Sequence, residues 1–104
     1  MDKIRKVKKH FRFKVPPAAY ILLEKEHKVL LILRENTGYM DGKWGLPSGH
    51  VKKGESPAAG GIRETVEEVG VRVSNRDFTF AHVMYQARDE LNDERVHFFF
   101  KTNI

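Results

Sequence analysis

Cysteine is absent from this sequence of 104 residues, so disulfide bonds, thiolate metal sites and cysteine nucleophiles are excluded. Long hydrophobic runs are absent as well: no stretch approaches the roughly 18 apolar residues of a membrane-spanning helix. The N-terminus lacks the apolar segment of a secretory signal. From these absences we expect a cytoplasmic protein with no membrane partner. We expect a single domain, because a chain of this length can bury one hydrophobic core.

Positive charge is concentrated at one end of the chain, although the formal net charge of +5 refers to the whole. Residues 1–14 hold seven basic residues and one acidic residue, whereas the remainder holds 12 basic and 13 acidic residues. The excess therefore belongs to a basic N-terminal arm or first strand, residues 1–16. We interpret it as a solvated segment. The alternative is a nucleic-acid-binding tail, which predicts binding with a strong salt dependence that is lost when the arm is deleted.

The pattern of apolar residues predicts strands on both sides of one helix. Two β-rich runs, about 18–24 and 28–34, flank a polar turn and predict a hairpin. Ser56 is the predicted N-cap of the helix, Pro57 its first residue and Gly70 the residue just past its end. Strand patterns return after the helix, in "FTFAHVMYQAR" and "RVHFFFK". A second helix normally covers the other face of such a sheet, and the sequence up to residue 104 predicts none.

Three carboxylates share one face of the predicted helix. At 100° per residue, Glu64, Glu67 and Glu68 fall within about 100° of arc. Like charges at this spacing destabilise a helix that stands alone. Clustered oxygen ligands suit Mg²⁺ or Mn²⁺, which proteins often bind together with substrate phosphates. The alternative is a solvated acidic face with no ligand.

The same helical projection predicts which residues are buried. The apolar stripe consists of Ala58, Ile62, Val66 and Val69. Thr65 falls at its edge, and Gly60 and Gly61 fall on the carboxylate side. Inside a helix each glycine lowers stability by about 1 kcal/mol relative to alanine. We therefore expect the lack of a side chain at these two positions to serve a purpose. It either lets a ligand approach or admits a closely packed neighbouring strand, and the sequence leaves both readings open.

The stretch from Gly49 to Val71 resembles the Nudix box. That signature is G, five residues, E, seven residues, then R-E-U-x-E-E-x-G-U, where U is aliphatic. Gly49, Glu55 and the run "RETVEEVGV" from Arg63 occupy these places, and Thr65 at the first U is the single departure. Such a pattern is far more specific than a lone glycine motif. On this evidence the chain is identified as a MutT-like member of the Nudix hydrolase family over about residues 17–101.

The resemblance implies an α+β protein with the Nudix fold, a mixed β-sheet in an α/β/α sandwich that lacks its C-terminal helix in this chain. Residues 17–104 would form the Nudix hydrolase domain, C-terminally incomplete. The implied activity is Mg²⁺-dependent hydrolysis of a nucleoside diphosphate linked to another group. Small size favours a nucleoside triphosphate, cleaved to a monophosphate and pyrophosphate. Dinucleoside polyphosphates, nucleotide sugars and capped RNA are alternatives, and so is a catalytically silent domain that binds a nucleotide as a sensor.

The resemblance also implies a metal site. By position, Glu64, Glu67, Glu68 and the backbone carbonyl of Ser48 would hold Mg²⁺, for which Mn²⁺ could substitute. Glu64 or Glu67 would take a proton from the attacking water, and the sequence does not decide between them.

The remaining expected site residues support catalysis or bind substrate. Arg63 and Glu55 resemble an ion pair that orients the loop against the helix, and we count both among the catalytic residues. Tyr39 and Trp44 are candidates to stack on a base, although aromatic residues in a small domain more often belong to the core. Gly49 and His50 are expected to contact the substrate. The expected partner is a small nucleotide; nucleic acid is disfavoured, and a homodimer is left open.

Overall fold

A computed structural model describes residues 12–104, which form a five-stranded sheet, one helix and a separate two-stranded ladder. The elements follow in the order β1 (Pro17–Lys25), β2 (Lys28–Val29), β3 (Ile32–Leu33), β4 (Trp44–Gly45), β5 (Ser48–His50), α1 (Pro57–Val69), β6 (Thr79–Gln86) and β7 (Arg95–Asn103). In residues 12–104, no helix has both the length and the apolar character needed to cross a membrane.

Strand β1 lies inside the main sheet, whose order is β2-β1-β7-β6 with β5 also paired to β1. Strands β1 and β7 run parallel, and every other pair is antiparallel. Strands β3 and β4 form the separate ladder. A mixed sheet with one helix confirms the expected α+β class. Most of the basic arm lies outside the described residues; its last part, 12–16, is irregular and leads into β1.

The predicted hairpin forms at its turn, where Glu24 pairs with Val29 and Lys25 with Lys28. Its second strand is not the continuous run 28–34 that the sequence predicted. Strand β2 ends at Val29 and β3 begins at Ile32, because the two pieces pair with different partners, β1 and β4.

Helix α1 begins and ends where its caps predicted. The Ser56 hydroxyl oxygen accepts a hydrogen bond from the Ala59 N–H at 3.0 Å, which satisfies one of the free donors of the first turn. Gly70 adopts a left-handed backbone with φ of 70°, and its N–H bonds the Val66 carbonyl at 2.9 Å.

Three residues of the predicted stripe, Ala58, Ile62 and Val69, pack against the core, but the most buried side of α1 is rotated toward Gly61 and Thr65. Thr65, expected at the edge, is fully buried, and its hydroxyl donates to the Gly61 carbonyl at 2.8 Å. Val66, expected inside, is 42% exposed. A Cβ added to Gly61 would lie 2.9 Å from Cζ of Phe78, so the glycine admits a closely packed ring. At this position the packing interpretation is correct.

The core lies between α1 and one face of the sheet. Its buried residues come from β1, β7 and the segment before β6: Ala19, Ile21, Leu23, Phe78 and Phe100. The rings of Phe78 and Phe100 stack with centroids 4.8 Å apart. Because side chains alternate along a strand, Tyr20 and Leu22 of β1 lie on the opposite face. In the described part of the chain no helix covers that face.

Candidate active site

A cleft of about 440 Å³ brings residues of α1, β1 and β5 together with the long loop before β4 and the start of β7. Its lining is formed by Ala18, Tyr20, Arg34, Tyr39, Ser48, Gly49, His50, Glu64, Glu68 and Arg95. Two carboxylates and two guanidinium groups therefore share one concave surface. Such a cleft suits a ligand that carries both bound cations and anionic groups.

Arg63 ties α1 to the segment that precedes it. Its Nε and Nη2 donate to the two carboxylate oxygens of Glu55 at 3.2 and 2.8 Å, and Nη2 also donates to the His50 carbonyl at 3.0 Å. Its Nη1 donates to Glu64 at 2.8 Å and to Glu67 at 3.1 Å. One side chain thereby fixes three carboxylates and the end of β5.

The electrostatic effect of this network is largest at Glu55. The hydrogen bonds from Arg63 lower the pKa of Glu55 to about 2, helped by the N–H of Lys52, which donates to Oε1 at 2.7 Å. The same contact raises the pKa of Arg63. Both groups are therefore charged over the whole physiological pH range.

The carboxylate of Glu64 lies directly against the backbone of Gly49. A Cβ built on Gly49 would overlap the Glu64 carboxylate, with Oε2 at 2.6 Å, so any side chain there would displace it. Only 13% of the Glu64 side chain is exposed. Gly49 and Arg63 together hold this carboxylate at the cleft wall.

Glu68 lies in the same cleft and faces β5. Its Oε2 accepts a hydrogen bond from the Ser48 N–H at 3.3 Å. Burial raises the pKa of Glu68; the bond from Ser48 opposes this rise and the nearby charge of Glu64 adds to it. A cation placed between these two carboxylates would offset both the cost of burying the charge of Glu68 and its repulsion from Glu64.

Glu67 is separated from the other two expected metal ligands. Its side chain is 52% exposed, pairs with Arg63 and does not line the cleft. Across residues 12–104, no three His, Asp or Glu side chains are close enough together to form a metal site. The structure thus brings Glu64, Glu68 and Ser48 together and leaves Glu67 apart.

Tyr39 and Trp44, the two expected stacking residues, have different positions. Tyr39 lines the cleft, and the guanidinium of Arg34 lies 5.5 Å from the centre of its ring, within the range of a cation–π contact. Trp44 is 65% exposed on β4 and is outside the cleft lining, so its position gives no support to a stacking role. Gly49 and His50 both line the cleft, as their expected contact with substrate requires.

Four residues of the cleft lining were not predicted from the sequence: Ala18, Tyr20, Arg34 and Arg95. Burial raises the pKa of the Tyr20 hydroxyl, and Arg95 acts against that rise. A signal for Tyr20 existed, because it alternates with the apolar Ala19 and Ile21 and so belongs to the other face of β1. The two arginines carried no local signal, because the residues with which each shares the cleft lie on several different elements.

Known proteins are similar in sequence to this chain. The family model described as NUDIX domain matches residues 14–103. Nudix hydrolase 5 of Arabidopsis thaliana is 43% identical over 44 residues, which make up 40% of this chain and 15% of that protein. Nudix hydrolase 6 of the same plant is 40% identical over 53 residues, 49% of this chain and 19% of that protein. The matched segments thus span less than a fifth of either curated relative.

Solved structures show the same fold. The crystal structure of a MutT/nudix family protein from Enterococcus faecalis superposes with a TM-score of 0.79 at 27% identity. The superposition covers 94% of this chain and 40% of that one. The similarity therefore includes the sheet and α1, the elements that carry the cleft.

Proposed function

Because this chain belongs to the Nudix family, we propose that it hydrolyses a phosphoanhydride bond in a nucleoside diphosphate linked to another group. The proposed substrate is a nucleoside triphosphate, and the proposed products are a nucleoside monophosphate and pyrophosphate. The observation that carries the proposal is the shared cleft of Glu64, Glu68, Arg34 and Arg95. Carboxylates suit a cation that accompanies phosphates, and arginines suit the phosphates themselves.

The proposed cofactor is Mg²⁺, with Mn²⁺ as a substitute. The proposed ligands at the cleft, the carboxylates of Glu64 and Glu68 and the Ser48 carbonyl, are all oxygens, which these hard cations prefer. Burial beside a like charge disfavours the ionised form of Glu68, and a cation would favour it. A bound Mg²⁺ would supply charge neutralisation and Lewis acidity to the diphosphate.

The backbone of β5 supports Ser48 as a further ligand. The residues on either side of β5 bond to β1. The Pro47 carbonyl accepts from the Ile21 N–H at 2.9 Å, and the Val51 N–H donates to the Pro17 carbonyl at 3.0 Å. In an antiparallel pair the bonded positions alternate, so Ser48 directs its N–H and its carbonyl away from β1. The N–H reaches Glu68. The carbonyl is directed toward the same side and is available to a cation there.

Arg63 and Glu55 act in this proposal by positioning. Arg63 holds the Glu64 carboxylate at 2.8 Å, and Glu55 holds Arg63 from the opposite side. Glu64, fixed in this way, accepts the proton of the attacking water; Glu67 is the alternative base. Glu67 is half exposed, so a rotamer change can bring it from Arg63 toward a cation as the fourth ligand.

The opposite wall of the cleft would bind the rest of the nucleotide. Arg34 and Arg95 offer positive charge to phosphate oxygens, while the rings of Tyr20 and Tyr39 offer stacking surfaces to a base. A cleft of about 440 Å³ suits a small nucleotide, which is the proposed partner.

The test is Mg²⁺-dependent product formation, measured by chromatography, with a panel of canonical and oxidised nucleoside triphosphates, nucleotide sugars, dinucleoside polyphosphates and capped RNA. Glu68→Gln removes one cleft charge with little change of shape, and we expect it to lower turnover at least about 100-fold. Glu90→Gln, an exposed charge change in the β6–β7 loop, is the matched control and should leave turnover unchanged.

Each outcome of the panel has a definite meaning. Turnover of one class that depends on Glu68 supports a hydrolase and identifies its substrate. Nucleotide binding without turnover supports the second candidate, a silent domain that senses a nucleotide. That candidate is disfavoured because all four acidic residues of the signature, Glu55, Glu64, Glu67 and Glu68, are present. Absence of both binding and turnover with every class would contradict the proposal.

A further inference from the structure

We infer that Asn92, in the loop between β6 and β7, is a positioning residue that holds Tyr39 in the cleft wall. The Tyr39 hydroxyl lies 3.2 Å from Oδ1 and 3.1 Å from Nδ2 of Asn92, so it can donate to the oxygen or accept from the nitrogen. The two residues are 53 positions apart in sequence. Asn92 itself does not line the cleft. Its effect on substrate, which rests on the proposed function, would therefore be exerted through Tyr39.

The other end of Tyr39 is held by its own loop. Its carbonyl accepts from Nε of Arg34 at 2.9 Å, and its N–H donates to the Thr37 hydroxyl oxygen at 3.2 Å. The carboxylate of Asp41 in turn accepts from the Thr37 N–H, the Thr37 hydroxyl and the Gly38 N–H, at 3.1, 2.6 and 3.0 Å. These bonds fix the backbone of Tyr39. The position of its side chain then depends on the hydrogen-bond partner of its hydroxyl group.

Asn92 is also part of a closed turn. The Asp89 carboxylate accepts from the N–H groups of Leu91 and Asn92 at 2.8 and 2.7 Å, and the Asp89 N–H donates to the Asn92 carbonyl at 3.0 Å. Two loops, each hydrogen-bonded within itself, are thus connected by one side-chain contact. Through that contact the turn sets the position of the Tyr39 ring relative to Arg34, and with it the width of the cleft at this wall.

This geometry gives Asn92 a role in recognition. A ring held at both ends presents a fixed surface to a flat group such as a base, whereas a ring held only at its backbone must be ordered when the ligand binds. Loss of the contact should weaken binding and leave the bond-breaking step unchanged, because Glu64 and Glu68 lie on α1 and have no contact with this turn.

Steady-state kinetics with the substrate from the panel test this role. Asn92→Ala should raise KM by about twofold to tenfold, the range expected for one net hydrogen bond, and leave kcat within about twofold. Asn92→Asp keeps an acceptor for the Tyr39 hydroxyl and should restore KM. Leu91→Ala, an exposed neighbour with no side-chain bond, is the matched control. A KM unchanged in Asn92→Ala, or a loss confined to kcat, would overturn the inference.

Amide hydrogen exchange tests the same contact without any substrate. In Asn92→Ala the amides of Thr37, Gly38 and Tyr39 should exchange several-fold faster than in the wild type, although they lie in the other loop. Tyr39→Phe should loosen the amides of Leu91 and Asn92, and the double variant should show no further effect. If each variant left the exchange rates of the amides in the other loop unchanged, the contact between Tyr39 and Asn92 would be refuted. Faster exchange in a protein that turns over no nucleotide would retain the contact and contradict only the proposed function.

Discussion

Replacing Gly49 by alanine would place a methyl group where the Glu64 carboxylate lies. The backbone of Gly49 is not in the left-handed region, so alanine can adopt it, and the atoms nearest to the added methyl group belong to this carboxylate. Cδ and Oε1 of Glu64 would lie even closer to the added Cβ than Oε2 does at 2.6 Å, so the carboxylate has to retreat by at least about 1 Å. A displacement of that size costs about 100-fold in rate when the group positions a reacting atom, which corresponds to about 2.7 kcal/mol.

Stability should change far less than activity. The displaced atoms are the end of a flexible side chain, so we expect the free energy of unfolding to change by less than about 1 kcal/mol. The assays are kcat/KM with the substrate from the panel and the urea midpoint of unfolding. Gly45→Ala is the matched control, because a Cβ at Gly45 meets no atom within 4 Å. If Gly49→Ala kept kcat/KM within threefold of the wild type, the reasoning that the Glu64 position matters would be refuted.

Two further substitutions test the packing and the ion pair. Gly61→Ala would force a methyl group to 2.9 Å from the Phe78 ring, which is stacked on Phe100. Because the cost of overpacking exceeds the gain in helix propensity, the free energy of unfolding measured with urea should fall by about 1–2 kcal/mol. Higher stability would contradict the packed arrangement. The lowered pKa of Glu55 means that its contact with Arg63 stabilises the fold fully above about pH 4.5, and the contribution is lost as the pH falls toward about 2. The stability difference between wild type and Glu55→Gln should therefore shrink over that window, and a difference that stays constant with pH would show that the carboxylate charge does not matter.

The features that the sequence predicted correctly are those whose causes lie close together in the chain. The caps of α1 depend on Ser56, Pro57 and Gly70 and on backbone groups within one turn. The buried side of α1 was predicted less well, because hydropathy alone placed Val66 inside. Thr65 can be buried instead since its hydroxyl bonds the Gly61 carbonyl, and a satisfied hydroxyl costs little.

The far wall of the cleft could not be predicted, for the opposite reason. Arg34 and Arg95 come to line the same cleft only after β7 pairs with β1 and the long loop folds back over the sheet. No periodicity in the sequence indicates that two residues so far apart share a site. The link between Tyr39 and Asn92 is of the same kind, since both residues lie in loops with no regular pattern.

The parallel pairing of β1 with β7 also determines when this fold can form. Pro17 lies opposite Val96, and Glu24 lies opposite Asn103, so these contacts close a loop that contains the hairpin, α1 and β6. Contacts between residues so distant in sequence require loop closure before they contribute stability, and they slow folding. During synthesis β1 can pair early with β2 and β5, but its other edge remains open until residues 95–103 have left the ribosome. The cleft, which needs Arg95 as well as Tyr20, therefore cannot assemble before β7 is available.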